Sequence, residues 1–428
     1  TRWAIFNQVI IIIHNNKGDL TKMNGEILAF IVYFVAIVGV GIYFFFKEKG
    51  DATQANFFLG GRQMGPWVAA MSAQASDMSA WLLMGLPGSI LAFGFGQMWI
   101  GIGLALGPAA NWIFVAKRLR KFSSAAGDAI TVPQYLGNRF LSKSNALQVI
   151  CAIIFFVCFT IYVASAYVAG ASVFTAIFPS LSSHAAMIIF ALAMLLITFF
   201  GGFKAVCWTD FFQGILMFAA LMTVPIVIAI TKDMDFAALS VVYSYKDAVS
   251  GEMVECSFGT GLFDASWQDI ISGLAWGLGY FGMPHILVRF MSIEKPSMVK
   301  KSATVAIIWV ICALGCACLI AYFGRMFLAE ELLTTGAQKM VFIDFARKLF
   351  PSFIAGVLMA AIIAASMSTA DSQLLVASSS FTSDIYKPII RKDADEKEIL
   401  WVGRIIVVIV AVIAFFIASS KGSGAQAI

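Results

Sequence analysis

The segment SAQASDMSAWLLMGLPG, residues 72–88, sits in an otherwise apolar run, yet it holds a carboxylate, Asp77, three serines, and the interruption Gly85, Pro87 and Gly88. A charge at the centre of a bilayer costs roughly 2.5–3.5 kcal/mol on insertion scales, so it is seldom kept for stability. A second acid, Asp371, lies in the equally apolar segment AASMSTADSQLL, residues 364–375. Two intramembrane carboxylates among small and hydroxylated residues mark a path for an ion or a solute across a membrane.

The rest of the chain agrees. It is 60% hydrophobic and 12% charged, against about 45–50% and 25% in soluble domains. At 428 residues a water-soluble fold could not hide that much apolar surface, so the solvent is a lipid bilayer. The net charge of +5 is spread over loops and does not suggest a nucleic-acid partner. The seven cysteines have no metal or disulfide spacing and read as small packing residues.

A spanning helix needs about 20 apolar residues. Ten segments meet or approach this: 26–46, 67–91, 97–116, 146–178, 185–201, 206–231, 266–290, 303–328, 351–380 and 400–419. All are expected to be helices, because an isolated strand cannot satisfy its backbone in lipid. The chain is therefore an all-α polytopic membrane protein. Loops after spans one, three, seven and nine are rich in Lys and Arg, and the loop after span six is acidic. The basic loops belong in the cytoplasm and the start of span one outside. The mixed loop 329–350 is expected to hold a short amphipathic helix.

Span two is interrupted around Asp77. Span seven is interrupted by Gly277, Gly279, Gly282 and Pro284. Two broken spans at matching positions, five apart, are the sequence sign of an inverted-repeat transporter with its site at the midplane. Spans 2–6 form one repeat and spans 7–10 four-fifths of the next. Residues 1–22 read as a non-native extension before Met23. Residues 23–428 form the transmembrane domain, and its end just past a span, in KGSGAQAI, reads as a C-terminal truncation.

Sodium needs several oxygen ligands with little net charge. An unwound stretch in span two exposes carbonyls near Ala75 and Met78, and Ser368 and Thr369 in span nine add two hydroxyls. Ala360, Ala361, Ala364, Ala365 and Ser366 let span nine approach span two closely. The alternative is that both hydroxyls only bond carbonyls of their own helix. For a solute, Trp276 and Tyr280 lie one helical turn apart, hence on one face, beside the span-seven glycines and Pro284. They suit a small, partly apolar molecule, and Tyr162 adds an aromatic at similar depth. These aromatics could instead be packing residues or an interface belt. Asp210 opens span six and reads equally as a helix N-terminal acid or a functional one. His285 has no second ligand nearby and reads as structural.

The stretches ASDMSAWLLMGLPG (75–88), GGF (201–203) leading to WTD (208–210), WGLGYFGMPH (276–285) and MSTADSQLL (367–375) resemble the sodium/solute symporter family, most closely its sodium–proline subgroup. The resemblance runs from about Met23 to residue 419. It implies a leucine-transporter-like inverted-repeat fold with one extra N-terminal helix. It implies sodium (Na+) as coupling ion, held by the carbonyls of Ala75, Met78 and Ala365 and the hydroxyls of Ser368 and Thr369, with Asp77 and Ser79 sodium-linked. It implies that Tyr162, Trp276, Tyr280 and Pro284 contact L-proline. Some members have a second sodium site, and here Asp210, Ser368, Asp371 and Ser372 fall on its positions. Met283 departs from the glutamine expected in the proline subgroup. The implied activity is sodium-driven import of L-proline across the cell (cytoplasmic) membrane by alternating access, without enzymatic chemistry. Three other readings stand beside it: a symporter for another amino acid, a carboxylate or a sugar; a transporter-like sensor; and an intramembrane enzyme, which the three scattered histidines disfavour. Oligomeric state is not legible.

Overall fold

The computed structural model describes residues 25–44, 46–47, 53–178, 181–247 and 251–420; residues 1–22 lie outside them. Among these residues, seven helices are long and apolar enough to cross a membrane, and a bent pair adds an eighth span.

Helix α1, Gly25–Phe44, is the first of them. After the short α2 (Gln54–Leu59) comes the first broken span, made of α3 (Pro66–Met78), a 3₁₀ turn Ala80–Leu82, and α4 (Gly85–Phe93). Helix α5 (Met98–Ala110) runs through a π turn, Asn111–Ala116, into α6 (Lys117–Ala125). The short α7 (Val132–Arg139) precedes the long α8 (Ala146–Ile177). Helix α9 (Ser183–Thr231) has 49 residues. At 1.5 Å per residue that is about 74 Å, more than twice the thickness of a bilayer core, so it holds two spans. The division falls at Gly202, whose φ of 58° and ψ of −159° only glycine adopts without strain. The sequence places both spans correctly but starts the second at 206. Asp210 is thus eight residues past the break, too deep to be a helix N-terminal acid.

The acidic loop, outside the ten spans expected to be helical, contains an antiparallel hairpin, β1 (Tyr243–Lys246) with β2 (Met253–Cys256), pairing Tyr243 with Cys256. Arg325 pins it to the core. Its buried guanidinium lies over the rings of Tyr243 and Phe258 and donates to the carbonyls of Val241, Cys256 and Leu91.

The second broken span is α10 (Trp267–Ala275), a 3₁₀ segment Trp276–Phe281, and α11 (Pro284–Ser292), bent by 44°. Gly103 and Gly107 of α5 meet Gly273 and Gly277 here; a Cβ on Gly103 would lie 2.2 Å from the Gly273 carbonyl oxygen. Glycines four apart on both partners bring the backbones together. Next are α12 (Val299–Phe327), the short helices α13 (Ala329–Leu333) and α14 (Val341–Leu349), α15 (Ser352–Phe381) and α16 (Glu396–Ser419). The loop expected to hold one amphipathic helix holds these two short ones.

The two broken spans lie side by side and run in opposite directions. Met64, before α3, pairs its backbone with Ser292 and Glu294 at the end of α11, at 3.0 and 3.1 Å. That bridge is locally parallel, but beyond it Ser72 meets Arg289 and Trp81 meets Trp276, so the spans run in opposite directions as an inverted repeat demands. Helix α15 is the most enclosed span and packs against α8, α9, α3 and α16.

Candidate functional site

The first break is made locally. Helix α3 starts at Pro66 behind Gly65 and stops at Ser79, whose φ is 47°. A non-glycine residue there is strained, and such strain collects at functional sites. The Ser79 hydroxyl accepts from the Trp81 amide at 3.2 Å, a side-chain bond that competes with the helix ladder. The last carbonyls of α3 therefore lack helical partners. Ala75 and Met78 belong to that last turn, and both are buried.

Helix α15 brings its hydroxyls to this turn. Ser368 Oγ lies 2.8 Å from the Ala75 carbonyl oxygen and 3.1 Å from that of Ala365. Thr369 Oγ1 donates to the Ala365 carbonyl at 3.0 Å. Both residues are fully buried. Four of the five expected ion ligands are thus joined by hydrogen bonds, and Met78 closes the helix beside them. Back-bonding to the helix and ion coordination do not compete here. A hydroxyl has one hydrogen and two lone pairs, so Ser368 and Thr369 can each donate to a carbonyl and still offer lone pairs to an ion.

Asp77, two residues on from Ala75, faces the other way, into a cavity of about 320 Å³. This is at the small end for ligand sites. One wall is apolar and comes from α8: Ile154, Phe155, Cys158, Phe159 and Tyr162. The other is the broken second span: Gly279, Gly282, Met283, Pro284 and His285. Asp77 is within hydrogen-bonding reach of the Tyr280 hydroxyl, and its Oδ2 is buried without a partner. His285, read as structural from the sequence, lines the cavity with an unpartnered Nδ1.

Of the expected substrate residues, the structure brings Tyr162 and Pro284 together on the cavity wall, with Tyr280 reaching its edge through Asp77. Trp276 is apart. It is 52% exposed, against 2% for Tyr280, and stacks on Trp81 with centroids 5.8 Å apart. The expectation that Trp276 and Tyr280 share a face does not hold. They lie in a 3₁₀ segment, where three residues complete a turn, so a spacing of four turns the second side chain about 120° away.

The remaining expected residues form a separate buried network. Ser72 Oγ donates to Asp210 Oδ2 at 2.7 Å. Arg289 donates to Ser72 Oγ at 2.8 Å, to Asp210 Oδ2 at 2.9 Å, and to Ser372 Oγ. The Asp210–Arg289 ion pair is fully enclosed. Asp371 accepts from Thr198 Oγ1 at 2.9 Å. Two of the oxygens assigned to a second sodium, Asp210 Oδ2 and Ser372 Oγ, are thus held by a guanidinium. Sequence reasoning missed Arg289, although an arginine inside span seven was a visible signal that an acid should be sought for it.

A family model described as "Sodium:solute symporter family" matches residues 57–426. The chain is 42% identical over 393 residues to sodium/proline symporter 2 of Staphylococcus saprophyticus, which covers 91% of this chain and 74% of that protein. It is 40% identical over 398 residues to the sodium/proline symporter of Escherichia coli strain K12, covering 92% of this chain and 77% of that one. Among solved structures, a substrate-bound, outward-open sodium-coupled sialic acid symporter superposes with a TM-score of 0.72 at 20% identity, over 92% of this chain and 81% of that one. Mhp1, a nucleobase-cation-symport-1 family transporter, gives 0.52 at 12% identity, over 86% and 75%. The fold is therefore the leucine-transporter-like inverted repeat expected from the sequence.

Proposed function

Since the chain belongs to the sodium:solute symporter family, we propose that it imports L-proline with sodium across the cell membrane by alternating access. Two relatives at 40% identity or more are named for these two solutes. The observation that carries the reading is that residues 75–79 serve two places at once. The Ala75 carbonyl meets Ser368 of α15, while Asp77 lines the cavity between α8 and the second broken span.

Sodium is assigned to the carbonyls of Ala75, Met78 and Ala365 and the hydroxyls of Ser368 and Thr369. Asp77 supplies nearby negative charge and Ser79 fixes the break. Proline is assigned to the cavity. Its ring would lie on the apolar wall of α8 beside Tyr162, and its secondary ammonium would face Asp77 Oδ2, with Pro284 and Tyr280 closing the opposite side. Sodium joining α3 to α15 orders the break, and so sets Asp77 for the substrate. The membrane potential adds roughly 2.3 kcal/mol per charge per 100 mV to the inward drive. A second sodium is not part of this proposal, because Arg289 already brings a positive charge to Asp210 and Ser372. Transport by this route forms and breaks no covalent bond.

The test is radiolabelled proline uptake into vesicles with an inward sodium gradient, repeated with potassium in place of sodium. Uptake with sodium alone is expected. Sodium-driven uptake of other solutes but not proline would retain the coupling and discard the substrate. Proline uptake that is indifferent to sodium would refute the ion assignment.

A further inference from the structure

We propose that Asp384 forms a second cation station, on the cytoplasmic side, through which sodium passes as it leaves. The proposal goes beyond the function above and rests on it only for the identity of the ion.

Asp384 lies in a π-helical turn, Thr382–Ile390, that extends α15. Such turns disturb the backbone ladder and are frequent at functional sites. It is sixteen residues beyond Ser368 on the same helix, about 24 Å at 1.5 Å per residue. The basic residues Lys387, Arg391, Lys392 and Lys397 follow it, which puts this end in the cytoplasm.

The carboxylate is fully buried. Its Oδ1 accepts from Thr131 Oγ1 at 2.7 Å and from Gln148 Nε2 at 2.8 Å. Its Oδ2 is buried without any partner, and so is Thr382 Oγ1 two residues earlier. Lys387, one turn on, reaches Gln54 instead, with Nζ 3.4 Å from Oε1. Glu396, the other charge nearby, accepts from the Gln54 amide.

A lone carboxylate taken out of water must be neutralised by a proton or a cation. One feature favours the cation: two buried oxygens without a hydrogen-bond partner, Asp384 Oδ2 and Thr382 Oγ1, lie two residues apart in one turn. A sodium ion would satisfy Oδ2 and draw on hydroxyl and carbonyl oxygens around the turn, the kind of ligand that broken helices offer. Between the two places, Ser379 of α15 and Ser383 of the π turn lie on the face that carries Ser368, both buried, so the helix holding the first ion site also offers oxygens along the way out.

The test is proline uptake by the chain in right-side-out vesicles, titrating sodium inside and outside separately. Internal sodium inhibits uptake by reoccupying the release side. In Asp384→Asn the internal sodium needed for half inhibition is expected to rise about tenfold or more, the loss of one charged contact, while half-saturation by external sodium stays as in the unsubstituted chain. Unchanged internal inhibition would overturn the proposal. So would a lost dependence on internal pH with sodium inhibition intact, since that assigns a proton. If the variant does not reach the membrane, thallium-soaked crystals of the unsubstituted chain decide: a peak at Asp384 supports the station, and density at Ser368 alone overturns it. Absence of any sodium-driven uptake would refute the function itself rather than this station.

Discussion

Replacing Ser368 by alanine tests the core of the ion site. The Ser368 hydroxyl is fully buried and lies 2.8 Å from the Ala75 carbonyl and 3.1 Å from that of Ala365. Alanine removes one proposed ion ligand and, among the described residues, the only side-chain hydrogen bond between α15 and the end of α3. It adds no bulk and leaves the helix intact. Losing one partner of a buried polar contact costs about 1–3 kcal/mol, and 1.4 kcal/mol is tenfold in an equilibrium constant. Half-saturation by sodium should therefore rise about 5- to 150-fold. Linkage adds a second requirement. If sodium and proline are coupled, at low sodium the same substitution must raise half-saturation for proline, and saturating sodium must restore most of it. The assay is initial-rate uptake across a sodium series, with choline holding ionic strength constant. Unchanged sodium dependence would refute the assignment of Ser368. A rise in sodium half-saturation with proline affinity unaffected at every sodium concentration would refute the coupling argument.

Three further substitutions separate the parts of the site. Asp77→Asn should cripple sodium-dependent uptake while the protein still reaches the membrane, measured by uptake against the amount of membrane-inserted protein; normal uptake would remove Asp77 from the site. Trp276→Ala breaks only the stack on Trp81, away from the cavity lining, and should leave half-saturation for proline nearly unchanged; a rise of about tenfold or more would return Trp276 to the substrate site. Arg289→Gln leaves Asp210 buried and unpaired, which costs about 3–5 kcal/mol, and should sharply lower the melting temperature of the purified protein. Arg289→Gln combined with Asp210→Asn should recover much of that loss; a double variant as unstable as the single one would show that the ion pair is not the source.

The spans were legible because lipid imposes a simple rule on length and composition, and both breaks were legible because glycine and proline interrupt those runs. The meeting of Ala75 with Ser368, 293 residues apart, was legible through the resemblance and through the small residues around Ser368. Other features depend on geometry that no local pattern fixes. Trp276 and Tyr280 share a face only at 3.6 residues per turn, and the chain tightens there to a 3₁₀ segment. Asp210 reads equally as a helix-end acid or a functional one because an apolar run begins near it; the break is at Gly202, whose backbone angles decide the matter. Arg289 was visible, but its pairing with Asp210 follows from the packing of two distant helices. The hairpin 243–256 has short strands rich in polar residues, too brief for alternation to stand out from the loop.

The arrangement accounts for coupling without a long relay. Were the ion and the solute held by separate helices, their coupling would have to travel through a change in how those helices pack. Here the two proposed sites share five residues of one broken helix. The Ala75 carbonyl lies on the α15 side and Asp77 on the cavity side, and Ser79, strained at φ 47°, closes the break behind them. Fixing the carbonyls from the α15 side restricts the backbone that aims Asp77, so part of the ordering cost of the solute site is already met when sodium is bound. The reciprocal must hold to the same extent. The Asp210–Arg289 pair contributes differently. Arg289 belongs to the second broken span, and Ser72 on α3 contacts both members of the pair. The first broken span is thereby fastened to the second beside the ion site, so a change of shape at residues 75–79 is carried by both breaks together.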